Sequence, residues 1–473
     1  MFTNMVYVII YFVLLFLVVL LYVLRNSFSL AHYFVFNRSG GVFEVSMSLV
    51  ALVFGASSVF GLAGWGYKFG WNALWWIMPG VVGLLVLSIF FSRAIYQVKG
   101  VTISDIVEKV FGIEVKVLVS AILFIAWLSV LAGQIIAGGN ITSYLFGGNK
   151  VVGYVVFTVL FAGYTVLYGQ VGTMKTGFLQ VILMVAAIVV LLFAVFGKVD
   201  LGGVKELRNI TFSFDDKFTF DFWFSLFVAV FLSYLFGPDI YSRIFSSNSE
   251  RTARFSLIVS SILILIIATL IVLLGIVSRY YLGNIANPDK VILEISLDLL
   301  PEWLKPLMMV FLVSIPLSGA DIILVTVTAL LVRDFLFNIV KNEKVREKLL
   351  SLVFIRIFSM VAITIALVIA LYGKDIISTL MVAYKIFSNS ITPFILASLV
   401  LINKKKSIHF SSVSKLILVS SLAVVGTYSI LAEIFIPQIK FRFYELVLIF
   451  LLLLVISLVV WVERKNTFFN KLS

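Results

Sequence analysis

The chain is 473 residues long, 62% hydrophobic and 12% charged, whereas a water-soluble globule needs roughly 25% charged residues to cover its surface. With no cysteine and only two histidines, His32 and His409, disulfide frameworks, thiolate metal sites, cysteine-ligated haem or iron–sulfur centres and most zinc chemistry are excluded. The formal charge of +13 sits in short basic runs between apolar stretches, a pattern of lipid topology rather than nucleic-acid binding.

At 1.5 Å per residue, about 20 apolar residues cross the roughly 30 Å hydrocarbon layer. Such stretches predict an all-α integral membrane protein of about thirteen helices, at 5–24, 44–67, 71–93, 116–142, 150–168, 174–197, 219–238, 255–281, 304–333, 350–372, 376–400, 414–435 and 443–462. The first lacks a basic leading segment and a small-residue cleavage site, so it reads as a membrane helix rather than a signal peptide. Lys and Arg, counted on alternate sides, divide about two to one in favour of the side holding the loop after the first helix and the carboxyl terminus. The positive-inside rule therefore places the amino terminus outside the cell and the carboxyl terminus in the cytoplasm, with KNEKVREK at 341–348 and KKK at 404–406 marking the inner face. The polar intervals around 198–218 and 282–303 are about twenty residues each, too short for a separate core, so 1–473 is a single polytopic domain. Function has to reside in the membrane.

Polar groups at membrane depth locate it. In the second helix, Gly55, Gly61 and Gly64 interrupt an apolar span. Irregular backbone at that depth is tolerated where it lines a cavity or is buried in protein, so this is either a broken helix offering bare carbonyls or a small-residue packing face. Gly237-Pro238-Asp239 ends the seventh helix similarly, and Tyr241-Ser242-Arg243 reads as a basic connection after it. Broken second and seventh helices, five apart, suggest two inverted halves, 44–197 and 219–400, around a midplane site, with 1–43 and 401–473 peripheral. The ninth helix carries Asp321 about 25 Å from its start. Ser314, Ser318 and Asp321 share one face, and Pro316 leaves the carbonyl of Leu312 without its helical donor. The alternative is a proline kink whose serines bond back to their own helix and whose aspartate pairs with a neighbour. Lys385 lies roughly 13 Å into the eleventh helix, placed either to pair with Asp321 or to act as a proton- or cation-linked switch. Arg356 reads as a snorkelling cation and Lys175 as an interfacial anchor. No nucleophile–base–acid constellation is present, so the chain is not an enzyme.

These residues resemble the sodium:solute symporter family. Its second-helix pattern S-A-S-S-F-x-G-x-P-G-x-A-Y-x-x-G is similar to Gly55-Ala56-Ser57-Ser58-Val59-Phe60-Gly61-Leu62-Ala63-Gly64-Trp65-Gly66-Tyr67-Lys68-Phe69-Gly70, followed by Trp75-Trp76. Thr102-Ile103-Ser104-Asp105 and Phe111-Gly112 resemble its T-x-x-D and R-F-G loop. Gln134 with Gly138-Gly139 resembles Q-x-x-x-G-G, and Gly237-Pro238-Asp239 through Arg243 resembles G-P-D-x-x-x-R. Ser318-Gly319-Ala320-Asp321, with Arg333-Asp334 closing the helix, resembles M-S-T-A-D-S and a terminal aspartate.

The resemblance implies a leucine-transporter-type fold, a five-plus-five inverted repeat that works by alternating access. It also implies a cation site formed by the carbonyls of Ala51, Phe54 and Ile315 and the hydroxyl of Ser318, with Asp321 nearby. Gly319 stands where the family has a second hydroxyl, Gly55 where it has a serine, and Gly177, in Thr176-Gly177-Phe178-Leu179-Gln180, where it has an aspartate. A hard cation held by fewer oxygens binds more weakly. The reading is therefore that sodium coupling gives way to proton coupling or to none, with Lys175, Lys385 and Asp321 as the charge switch. No other cofactor is implied. The expected function is secondary active transport of a small polar solute (a sugar, amino acid or carboxylate) across the cell membrane, with Ser57, Ser58, Gln134, Tyr384, Ser388 and Asn389 as solute contacts. The alternatives are an amino-acid permease of the same fold with a lysine in place of sodium, and a membrane sensor that has lost transport.

Overall fold

The structure, a computed structural model, describes residues 2–25, 29–55, 57–216, 218–285, 287–373, 376–404, 408, 410–435 and 443–469. Ala56, His409 and Lys405–Lys406 of the basic run lie outside the described residues, as does the side chain of Ser57. In hydrocarbon every backbone N–H and C=O must be satisfied within its own segment, and sequences this rich in Leu, Ile, Val and Phe do so by coiling. Among the described residues all regular elements are helical, apart from one isolated bridge between Gly40 and Ser247.

The main helices, in chain order and leaving out several short ones such as Ser104–Phe111, are α1 (Phe2–Arg25), α2 (Val42–Val53), α3 (Leu62–Phe69), α4 (Met78–Val86), α5 (Ile113–Leu145), α6 (Lys150–Tyr168), α7 (Gln170–Phe196) and α8 (Phe220–Phe236). They continue as α9 (Pro238–Ser246), α10 (Glu250–Leu282), α11 (Lys305–Ala329), α12 (Leu352–Tyr372), α13 (Ile376–Ser390), α14 (Thr392–Asn403), α15 (Ser412–Phe435) and α16 (Phe443–Phe469). Side-chain caps mark several starts. Asn149 accepts from the Val152 N–H at 3.1 Å, Ser249 from Thr252 at 3.0 Å and Ser351 from Phe354 at 3.4 Å, each satisfying a donor that the first turn leaves open.

Ten helical runs among the described residues are long and apolar enough to cross a bilayer, and a bent pair would make eleven. Ile10–Leu21 and Val42–Val53 are shorter apolar helices. The stretch expected as one span at 376–400 is bent by 50° between Ser390 and Thr392. Pro393, in the first turn of α14, cannot supply the N–H that would continue the preceding helix.

The central element is α11, whose spanning window is wholly buried, whereas those of α12, α15 and α16 are less than a third buried and lie at the periphery. It packs against α5, α7, α1 and α2. On the other flank α3 and α10 touch backbone to backbone. A Cβ on Gly275 would fall 2.1 Å from the Ala63 carbonyl oxygen, and one on Gly66 would fall 2.6 Å from that of Val272.

Candidate transport site

The site begins where α2 stops. Phe54 closes the helix with its N–H on the Val50 carbonyl at 3.0 Å and leaves helical geometry at φ −89°, ψ 50°. Winding resumes as a wide π-type turn over Ser57–Gly61 before α3. The break turns nearby carbonyls away from their usual donors. That of Ala51 instead meets the Ser318 hydroxyl of α11 at 3.0 Å, and the same hydroxyl lies 2.7 Å from the Ile315 carbonyl. One hydroxyl hydrogen cannot serve two carbonyls fully, so three oxygens converge with a single proton among them, an arrangement suited to a hard cation. Of the other ninth-span oxygens, Ser314 bonds back to the Phe311 carbonyl at 2.6 Å.

Asp321 is fully buried on α11. The sequence offered Lys385 as its counter-charge, and Lys385 is itself fully buried. A further cation, not singled out from the sequence as a partner, is also near it: Arg243 of α9 has Asp321 and Asp239 as charged neighbours. Arg243 is 0% exposed, and its Nε, Nη1 and Nη2 make no hydrogen bond among the described residues. Its segment, read from the sequence as a connection, is a buried helix that starts at Pro238 in the favourable first-turn position. Asp239 accepts from the Ile240 N–H at 3.1 Å.

Beside the break lies a cavity of about 50 Å³ lined by Gly55, Ser58, Gln134, Tyr234, Asp239 and Tyr384, among others. Three expected solute contacts, Ser58, Gln134 and Tyr384, thus come together. Ser388 and Asn389 do not line it; both are buried, and the Ser388 hydroxyl bonds back to the Tyr384 carbonyl at 2.6 Å. Gln134 is 4% exposed. Its carboxamide lies against the Cα atoms of both Gly55 and Gly319, so that a Cβ on Gly55 would come within 2.7 Å of it and one on Gly319 within 2.9 Å.

Lys175 pairs with Glu44 at 2.9 Å and lies 5.1 Å from the centre of the Phe36 ring, with its side chain 28% exposed. Its charge is therefore answered near the surface, as for an anchor. Arg356 donates to the Leu167 carbonyl in the last turn of α6 at 2.9 Å, a favoured place for a cation.

A second group of charges, at the amino-terminal end of α5, was not assembled from the sequence. Lys116 donates to Asp105 at 2.7 Å and to Glu108 at 2.6 Å, and lies 3.5 Å from Asp334. Arg333 reaches Asp105 at 2.8 Å and Asp334 at 2.9 Å. Asp334 also accepts from Ser104 at 2.7 Å and from Thr102. Burial alone would raise the Asp105 carboxyl, but Arg333 and Lys116 beside it and the Val101 N–H hold it down to about 2. Nearby, Arg38 ties the carbonyls of Lys99 and Gly100 to that of Phe245, at 2.6, 3.0 and 3.1 Å. At the opposite end of α5 a larger cavity, about 450 Å³, is bordered by Asn140, Lys150, Tyr154, Asn287 and Lys290.

A helix broken at membrane depth, crossing a buried partner with a polar hollow at the crossing, defines a secondary transporter of the leucine-transporter type. The fold matches that of a Na+-coupled sialic acid symporter in a substrate-bound outward-open state, with a TM-score of 0.78 and 14% identity over 96% of this chain and 97% of that one. It also matches a nucleobase-cation-symport-1 family transporter in a closed conformation, with a TM-score of 0.59 and 14% identity over 93% and 96% of the two chains. Residues 33–407 match the model of the sodium:solute symporter family, and the chain belongs to that family. Relatives include the sodium/pantothenate symporter of Haemophilus influenzae, 23% identical over 363 residues and 74% of each chain. That of Escherichia coli is 24% identical over 333 residues, covering 67% of this chain and 68% of its own. These are transporters and not enzymes. Membership corrects the expectation that sodium coupling has given way: the family is one of sodium symporters, and the Ser318 hydroxyl does join the Ala51 and Ile315 carbonyls.

Proposed function

We propose that this protein accumulates a small polar organic acid by sodium symport across the cell membrane. Residues 44–197 and 219–400 form two inverted halves that alternate access around the break, with the amino terminus outside and the carboxyl terminus in the cytoplasm. The observation that carries the reading is the meeting of the Ser318 hydroxyl with the carbonyls of Ala51 and Ile315 at the interrupted α2, next to the small polar cavity. Ala51, Phe54, Ile315 and Ser318 hold the cation, and Ser58, Gln134 and Tyr384 face the solute.

An acid is favoured by the charges on the wide cavity. Lys150 and Lys290, with Asn140 and Asn287, give it a basic, hydrogen-bonding mouth that raises the local concentration of anions. On this reading that mouth opens outward, and the ion pairs of Asp105, Lys116, Arg333 and Asp334 close the cytoplasmic end. Pantothenate and sialic acid, named for the relatives and for the matching structure, are both hydroxylated carboxylic acids.

The test is uptake of labelled pantothenate, sialic acid and related acids into proteoliposomes under imposed gradients. An inward sodium gradient should drive accumulation of unchanged solute, and a proton gradient alone should not. Accumulation driven by protons and indifferent to sodium would overturn the coupling. Conversion of the solute would overturn transport.

A further inference from the structure

Gln134 occupies an unusual position. Its side chain enters from α5 and ends between two backbones that belong to different elements, the break after α2 and the middle of α11. A Cβ on Gly55 would stand 2.7 Å from Nε2 and 2.8 Å from Oε1, and a Cβ on Gly319 would stand 3.0 Å from each. Any side chain at either position would displace the amide, so both glycines are what admit it. Gly319 adjoins Ser318, and Gly55 follows the turn that exposes the Ala51 carbonyl. The amide thus packs against the two backbone segments that carry the oxygen set of Ala51, Ile315 and Ser318, and it also lines the solute cavity.

A carboxamide carries a neutral acceptor oxygen at one end of a rigid plane and two N–H donors at the other. Hard cations take amide and backbone carbonyl oxygens as ligands, and the three carbonyls of Ala51, Phe54 and Ile315 with one hydroxyl still fall short of about six oxygens. We propose that Gln134 completes the coupling site. Its Oε1 turns to the cation beside Ala51, Ile315 and Ser318, which leaves the Nε2 hydrogens directed into the cavity, where they donate to an oxygen of the solute. Sodium then fixes one of two amide orientations, and that orientation presents donors rather than an acceptor to an acid. Each ligand favours the orientation that the other requires, which is a coupling free energy carried by one planar group.

The assignment rests on the sodium-coupled reading, and its test separates the two. The full chain is purified in detergent, and thermal stabilisation is titrated with sodium chloride against choline chloride at constant ionic strength. Wild type should be stabilised by sodium. Gln134→Leu fills the same space without an oxygen; it should keep its melting temperature in choline and need at least about tenfold more sodium for half-saturation, about 1.4 kcal/mol. Gln134→Ala should show the same loss. Gln134→Ala/Gly319→Ser returns an oxygen to that space from α11 and should recover half-saturation to within about threefold of wild type. A Gln134→Leu protein with unchanged sodium dependence would overturn the proposal, as would a double variant no better than Gln134→Ala. If Gln134→Leu fails to fold, the comparison of Gln134→Ala with the double variant decides. A wild type indifferent to sodium would overturn the coupling reading and this assignment together, a pattern distinct from a loss confined to position 134.

Discussion

Two groups of charge, one at the end of α5 and one in the centre, are built on opposite terms. At the amino-terminal end of α5, the acids Asp105, Glu108 and Asp334 face the bases Lys116 and Arg333, and every one of these side chains is hydrogen-bonded. In the centre, Arg243 has two carboxylates as charged neighbours and no hydrogen bond on any of its three nitrogens among the described residues. Desolvating an ion costs several kcal/mol, and close pairing with hydrogen bonds is what offsets it. The end cluster is therefore tied together by direct ion pairs, whereas the central arginine, among the described residues, has charged neighbours but no hydrogen bond.

The contrast can be broken most forcefully at the ion-paired end. Asp334→Ala would leave Lys116 and Arg333 short of an acceptor in a buried site, and the expected loss is about 3–5 kcal/mol, read as a lower melting temperature of the purified protein. In the centre, Arg243→Met removes a guanidinium that makes no hydrogen bond among the described residues but leaves two buried carboxylates without their charged neighbour, so a loss of about 3 kcal/mol is expected together with near-complete loss of uptake. Arg243→Met/Asp321→Asn, which rebalances the charge, should regain stability but not transport. A double variant less stable than Arg243→Met would show that the two charges are not paired.

Acid sharpens the comparison further. The Asp105 carboxyl lies below its ordinary 3.8, at about 2, so the folded state favours the charged form. The stability it contributes is fully present above about pH 4 and is lost only as pH falls towards 2. Between pH 5 and 8, Asp105→Asn should therefore lower the melting temperature by a constant amount; a difference that shrinks across this range would contradict the assignment. The smallest effect is expected for Lys175→Met. Its pair with Glu44 is about a third exposed on both sides, worth at most about 1 kcal/mol and screened by salt. A loss of sodium dependence in Lys175→Met would restore it as a switch.

Much of this arrangement was legible in the chain because the bilayer acts as a ruler. The interruption at Gly55 follows from glycines within an apolar span, and the extent of the helix that carries Asp321 follows from counting residues against a fixed thickness; α2 does end at Val53 and α11 does span Lys305–Ala329. What the count cannot supply is pairing between distant segments. Arg243 precedes Asp321 by 78 positions, and its own stretch, Ile240-Tyr241-Ser242-Arg243-Ile244, mixes polar and apolar residues in a way that looks like a loop. Only the packing of α9 reveals it as interior. The same holds for Lys116, which reads as the edge of a span until Asp105 and Asp334 are brought to it. Gln134 was read as a solute contact; the two glycines that flank its amide are 264 residues apart in sequence, and no local periodicity links them.

The contact of α3 with α10 bears on how such a molecule can move. Two helices that meet through glycines, carbonyl against Cα, have no intervening layer of side chains on which to slide. They are therefore expected to move together, which ties 62–69 to 250–282 at this seam. Any rocking that exposes the polar hollow to the other side of the bilayer then has to pivot elsewhere, along the side-chain-filled seams that α5 makes with α11 and α13.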